Sequence, residues 1–307
     1  MASITLIENF RAVFYAPFYA ALALGAYAEE GLEVRLLSSP DPARTPAALL
    51  EGRGDVTWGG PMRVMVACDR DPGCGLVIFC EVVGRDPFFL LGREPNPRFR
   101  FEDLRGRRLA TVSEVPTPWM CLQHDMRLAG VDPAAVERTA GRSMAENAAA
   151  LRAGEADVVQ VFQPLAEELV EEGAGHIWYA AADRGPTTYT AFYTRREIWE
   201  RDPESLLRMT RAMYRTQRWL GARGGEEIAG RVASYFPGLP RATLARALSR
   251  YQSLGLWNRT PLLPRESFEW LRAACRSGGL IREGAPYERC VEMRLAERAV
   301  ADDPPPM

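Results

Sequence analysis

The sequence predicts an α/β protein built as two α/β domains, the second inserted into the first, with a helical return at the carboxyl end. Three observations carry this. Apolar runs of strand length alternate with stretches of helical period as far as residue 181. Two junctions resemble one another, EGRGDVTWGGPM at 51–62 and RAGEADVVQVFQPL at 152–165. In each, a helix with a glycine near its end feeds an aspartate-led strand that finishes in a proline-containing loop. They read as equivalent positions in two similar domains, not as a repeat array. Beyond Glu197 the strand-like runs stop and the chain reads as helices.

The first forty residues form a βαβ unit. Ile4 to Ile7 is a short β-rich run, and Glu8 to Tyr15 is a polar and aromatic loop. Ala16 to Glu30 repeats apolar residues at helical spacing among alanines, the strongest helix formers. Gly31 ends that helix and Leu32 to Leu37 follows as a strand. The loop after the first strand opens at the carboxyl edge of the sheet, where open α/β sheets hold ligands. Thr45 to Glu51 is a short helix and Asp55 to Trp58 a strand. Gly59-Gly60-Pro61 then turns into a helix with Met62 to Cys68 as its body, so a second loop faces the same edge. Leu76 to Val83 and Phe88 to Leu91 are apolar strands, and the proline-rich EPNPRFR after them marks a domain crossing.

The inserted segment repeats this grammar. Arg108 to Val112 is a strand, SEVPTPW a loop, and Met120 to Ala129 a helix closed by Gly130. Val136 to Thr139 is a short strand; Ser143 and Glu146 stand at capping-box spacing before a helix that runs to Arg152. Asp157 to Phe162, Leu165 to Glu172 and Ile177 to Ala181 are strand, helix and strand. Thr187 to Thr194 returns the chain, which places crossings near 85–93 and 187–194. The domains are therefore expected at 1–88 with 189–300, and at 89–188. The polar, proline-rich end, 301–307, is expected to be a disordered tail.

Composition narrows the function. With 307 residues, 47% of them hydrophobic, the chain can fill two cores. A formal net charge of -2 with both signs well mixed gives no basic block for nucleic acid. There is no lysine, which excludes a Schiff base to pyridoxal phosphate and a phosphate-loop lysine. The six cysteines form no CxxC pair and no zinc spacing, so buried free thiols are expected, and no metal site. His124 and His176 are far apart beside apolar residues and read as structural. The N-terminus lacks the basic and apolar regions of an export signal, and no apolar run reaches the ~20 residues of a membrane span. No membrane insertion is expected, and the chain as given is expected in the cytoplasm, or in the periplasm if an export signal once preceded it.

The order of elements and three motifs resemble the type II periplasmic solute-binding proteins, in particular the branch of thiamine-pyrimidine precursor, nitrate, sulfonate and taurine receptors. The motifs are FYAALALGAYAEEGLEVRL at 18–36, GRGDVTWGGP at 52–61 and LRAGEADVVQVFQP at 151–164. The resemblance implies a type II periplasmic-binding-protein-like fold, a two-domain clamp that closes by a hinge over a small-molecule ligand, without a cofactor. It further implies service to an ABC-type permease, as a monomer or weak dimer. Carried over by motif, first-domain contacts come from Asn9 to Tyr15, among them Arg11, Phe14 and Tyr15, and from Trp58, Gly59, Gly60 and Met62. Second-domain contacts come from Ser113 to Trp119, among them Thr117, and from Phe162 and Gln163, with Tyr189 at the hinge.

These residue types suit a flat, partly polar solute, aromatic, heterocyclic or anionic. Phe14, Tyr15, Trp58, Trp119 and Tyr189 offer ring faces; Glu8, Asn9, Thr57, Ser113, Thr117 and Gln163 offer hydrogen bonds. Arg11 or Arg63 suits an anion. The chain departs from the pyrimidine synthases of the branch, having no lysine, no histidine in the loop after Trp58 and no Cys-Cys-Cys-Phe-Cys run. Its first loop also lacks the Trp-x-Pro-Asn of the pyrimidine receptors. A non-catalytic binder is therefore favoured, with no catalytic residue assigned. The alternatives are an intracellular enzyme on the same fold, a decarboxylase, a dehydratase or a relative of thiamine-pyrimidine biosynthesis, using Glu8, Glu114 or Asp86, and a cytoplasmic ligand sensor.

Overall fold

Two five-stranded sheets organise the computed structural model, which describes residues 2–39, 41–283 and 286–307. The chain enters the first sheet through β1 (Ala2–Glu8), α1 (Ala16–Ala23), α2 (Ala26–Glu29), β2 (Leu32–Ser38), α3 (Thr45–Leu50), β3 (Val56–Gly59), α4 (Pro61–Arg70) and β4 (Leu76–Val83). It crosses to the second through β5 (Phe89–Gly92), β6 (Arg108–Ala110), α5 (Thr117–Leu128), β7 (Glu137–Thr139), α6 (Met144–Arg152), β8 (Val158–Val161), α7 (Leu165–Glu171) and β9 (His176–Ala180). It returns by β10 (Thr190–Arg195), and helices follow: α8 (Arg196–Arg201), α9 (Pro203–Gly221), α10 (Gly225–Val232), α11 (Arg241–Ser253), α12 (Arg265–Ser277), α13 (Tyr287–Cys290) and α14 (Arg294–Ala301).

The strand orders are β2-β1-β3-β10-β4 and β7-β6-β8-β5-β9. They are the same pattern. In each, three parallel strands are followed by a crossover strand that runs antiparallel, β10 in one sheet and β5 in the other. On this superposition β3 corresponds to β8, so the two similar sequence junctions occupy equivalent places. The crossings are residues 84–88 and 181–189. At the first, a Cβ on Gly84 would meet Asn258 Oδ1 at 1.9 Å, so only glycine fits where the chain leaves the first sheet.

Two expectations about local structure are corrected. The alanine-rich stretch 16–30 is two helices, because Gly25 takes a positive φ of 72° and resets the helix direction. The final residues are ordered. Arg211 pairs with Asp302, Arg218 pairs with Asp303 at 2.6 Å, Arg215 donates to the Pro305 carbonyl at 2.9 Å, and Met307 packs on the core. A row of arginines on one face of α9 gives the acidic, carbonyl-rich end partners, and three prolines leave it little entropy to lose.

The helical return also ties the sheets together. On one side α11 meets α7: Arg250 pairs with buried Glu167, and Tyr251, itself buried, accepts from Gln163 N at 3.0 Å and donates to the Pro87 carbonyl at 3.1 Å. On the other, α12 meets α5 through Met120, Cys121, Ala274 and Cys275. His124 is structural here: its Nδ1 lies 3.1 Å from Ser277 Oγ and its ring stands edge-on to Trp270. All six cysteines are free thiols, and no cluster fit to hold a metal occurs among the described residues. No described helix is long and apolar enough to cross a membrane.

Candidate functional site

A narrow cleft opens at the carboxyl ends of the strands, between the two sheets. The β1–α1 loop supplies Asn9, Phe10 and Tyr15, and the β3–α4 junction supplies Gly60, Met62 and Arg63. Val115 and Thr117 come from the loop into α5, and Tyr189 comes from the returning crossing. Asn9, Tyr15, Gly60, Met62, Thr117 and Tyr189 are thus brought together as the sequence suggests. The local reasons are plain. Gly60 and Pro61 end β3 and start α4, which turns Met62 and Arg63 toward the edge. Pro118 in the first turn starts α5 at Thr117, earlier than its apolar periodicity indicates.

The first loop is held by a buried carboxylate. Glu8, 3% exposed, accepts from Arg11 Nε and Nη2 at 3.1 and 3.0 Å, from Tyr19 at 2.7 Å and from Ser38 at 2.8 Å. Burial opposes its ionisation, but the arginine, tyrosine and serine bonds together hold its pKa below the ordinary carboxylate value. This corrects the role expected of Arg11. Its guanidinium is engaged by Glu8 and by the Tyr235 carbonyl at 3.2 Å, and it does not line the cleft. Arg63 does, half-buried, and its guanidinium has no hydrogen-bond or ion-pair partner among the described residues. Its charge acts on the buried hydroxyls of Tyr15 and Tyr193, against the burial that pushes Tyr15 up to about 12 and Tyr193 upward also. The Tyr193 hydroxyl and Thr190 Oγ1, both on β10, are buried and unpaired among the described residues. α4 therefore presents an uncommitted cation near unsatisfied hydroxyls of β10.

Other expected contacts lie elsewhere. Trp58 is fully buried, stacked on Phe18 with centroids 4.7 Å apart and planes 9° apart, so it is core and not clamp. Gly59 is buried against the Tyr193 ring. Phe14, Phe162 (centroids 5.2 Å apart) and Phe88 form, with the lining residue Tyr189, an aromatic cluster behind the cleft. The Gln163 side chain caps α7: it accepts from Glu167 N at 2.9 Å and donates to Glu167 Oε1 at 3.1 Å. Ser113 and Trp119 face a second groove, which shares only Val115 with the cleft lining. The proposed acids are all engaged. Glu114 accepts from Ser113 N and Met144 N at the start of α6, and Asp86 pairs with Arg184.

Phe10 and Val115 lie within the loop ranges assigned to the cleft without being singled out there, and Arg63 was named as an anion partner only as an alternative to Arg11. Alternate residues of an irregular loop face opposite ways, and no periodicity says which. For Arg11 a signal existed in Glu8, three residues away, at the end of an apolar strand where a carboxylate needs a cation.

Comparison with known proteins agrees with this architecture. Residues 13–223 match the family described as NMT1/THI5 like. The Bacillus subtilis protein YtlA, which carries a binding-protein name, is 23% identical over 98% of this chain and 91% of its own length. The fold is shared with the periplasmic aliphatic sulphonate binding protein SsuA from Escherichia coli, at a TM-score of 0.75 and 16% identity over 94% of this chain and 97% of that one. It is also shared with the desulfurization enzyme DSZB, at a TM-score of 0.70 and 15% identity over 99% and 100%. One backbone thus carries both binding and catalysis, and the lining must decide between them.

Proposed function

The chain belongs to the NMT1/THI5-like family, and from that premise we propose that it binds a small organic anion between its two domains as the solute-binding component of an ABC-type importer. The observation that carries this is Arg63, a half-buried cation without a partner among the described residues, in a cleft walled by Phe10, Tyr15 and Tyr189. A guanidinium in such a place gains most from a carboxylate or sulfonate, and the rings hold a flat body beside it. Asn9 and Thr117 offer an amide and a hydroxyl to fix its edge. The lining contains no carboxylate, imidazole or thiol, so what it offers is recognition, not proton transfer. The named functions of YtlA and SsuA support the same reading, with a permease as partner and the periplasm as the place of work.

The test is calorimetry with aryl and alkyl carboxylates and sulfonates on the native protein and on Arg63→Gln, with mass spectrometry of whatever solute co-purifies. Loss of one charge-assisted contact, about 1.5–3 kcal/mol, should weaken an anionic ligand roughly tenfold to a hundredfold. Neutral isosteres should bind both proteins alike. Equal affinity of the two proteins for every anion that binds would overturn the assignment.

A further inference from the structure

The groove that takes up Ser113 and Trp119 has a chemistry of its own. It is an open groove of about 380 Å³ between the loop before α5, the end of β7 and the turn after α12. Arg138 lies in it with its guanidinium 4.3 Å over the Trp119 ring and its Nε donating to Thr111 Oγ1 at 2.8 Å. It has no carboxylate partner among the described residues. Among the described arginines whose pKa is displaced, Arg138 alone is displaced downward, and burial is the cause. The others are raised by the carboxylates they meet. Stacking on tryptophan removes water from one face of the Arg138 cation, and no counter-charge replaces it. Val115, Met120 and Leu280 line the groove with apolar surface.

We propose that this groove, which adjoins the cleft at Val115, is a second binding site for a flat organic anion of the aryl sulfonate or aryl carboxylate class. Arg138 takes the anionic group, and the Trp119 edge and the apolar wall take the ring. Nothing in this assignment depends on what the cleft binds, because Arg63 belongs to the cleft lining and Arg138 to the groove.

The experiment is fluorine NMR of the full chain labelled with 5-fluorotryptophan, whose seven tryptophans give resolvable resonances, with Trp119→Phe assigning the one of interest. Benzenesulfonate is the probe and benzenesulfonamide its neutral control. The Trp119 resonance should shift saturably with benzenesulfonate in the native protein and in Arg63→Gln alike. In Arg138→Gln the affinity read on that resonance should fall about tenfold or more. Benzenesulfonamide should bind the native groove as weakly as benzenesulfonate binds that variant. A Trp119 resonance that stays still, that moves with equal affinity in Arg138→Gln, or that moves only while Arg63 is intact refutes the second site. The last outcome would leave the cleft reading standing, and loss of cleft binding with this signal preserved would do the reverse.

Discussion

Replacing Arg184 with methionine should cost more stability than any other single change of a charged residue. Arg184, 7% exposed, reaches Asp86 at 2.7 Å from the first crossing and Asp125 of α5 with Nε at 2.9 and 3.0 Å and with Nη2. Its guanidinium lies 4.8 Å from the Trp270 ring of α12, and Tyr179 donates to Asp125 at 3.1 Å. Both carboxylates are almost wholly buried. Methionine keeps the apolar stem but leaves two buried negative charges without a cation. Breaking a buried pair this way costs about 3–5 kcal/mol, a large share of the roughly 5–15 kcal/mol that holds a domain together. Burial already raises the Asp86 pKa in spite of Arg184, and without the arginine it should rise further. A folded-state pKa above the unfolded one means that the folded protein holds more protons, so stability falls as pH rises. The defect of Arg184→Met should therefore shrink between pH 7.5 and pH 5. Urea denaturation at both pH values measures it, and adding Asp86→Asn and Asp125→Asn should restore much of the loss at pH 7.5. A loss below about 1 kcal/mol at pH 7.5, or no recovery with the asparagines, would refute the reasoning.

Trp58→Ala should destabilise the first domain by about 3–5 kcal/mol while Trp58→Phe leaves ligand affinity within about twofold, because the ring is core packed on Phe18; calorimetry on Trp58→Phe decides, and a tenfold loss would return Trp58 to the clamp. Glu81 is buried on β4 with Asn258 as donor, and burial lifts its pKa from 4.5 to about 8. Its raised value makes the folded state the better proton binder, so native stability should decline from pH 4.5 to 8, and Glu81→Gln should remove that slope in thermal melts.

Much of the fold was legible because strand and helix periods are written in local sequence. The helix over Met144–Arg152 begins at Ser143 with the capping box that Ser143 and Glu146 announce. The likeness of 51–62 to 152–165 is a likeness of β3 and β8 in two sheets of one topology. Gly25 was misread for a physical reason: alanines on both sides favour helix so strongly that one glycine does not show whether it sits within a helix or divides it. The tail was misread because its partners, Arg211, Arg215 and Arg218, come from a helix some ninety residues earlier.

The sequence by itself determined two sheets, two crossings, the loops that meet at the strand ends, and the absence of lysine chemistry. Only the tertiary structure decided which side chains of those loops face the cleft. Arg11 and Arg63 are equally arginine in sequence; one is bound by a buried glutamate and the other has no partner among the described residues. Trp58 and Trp119 are equally tryptophan; one is sealed under Phe18 and the other lies under Arg138 in a separate groove. Burial and pairing depend on neighbours distant in the chain, and it is those neighbours that give a residue its charge state and its access to a ligand.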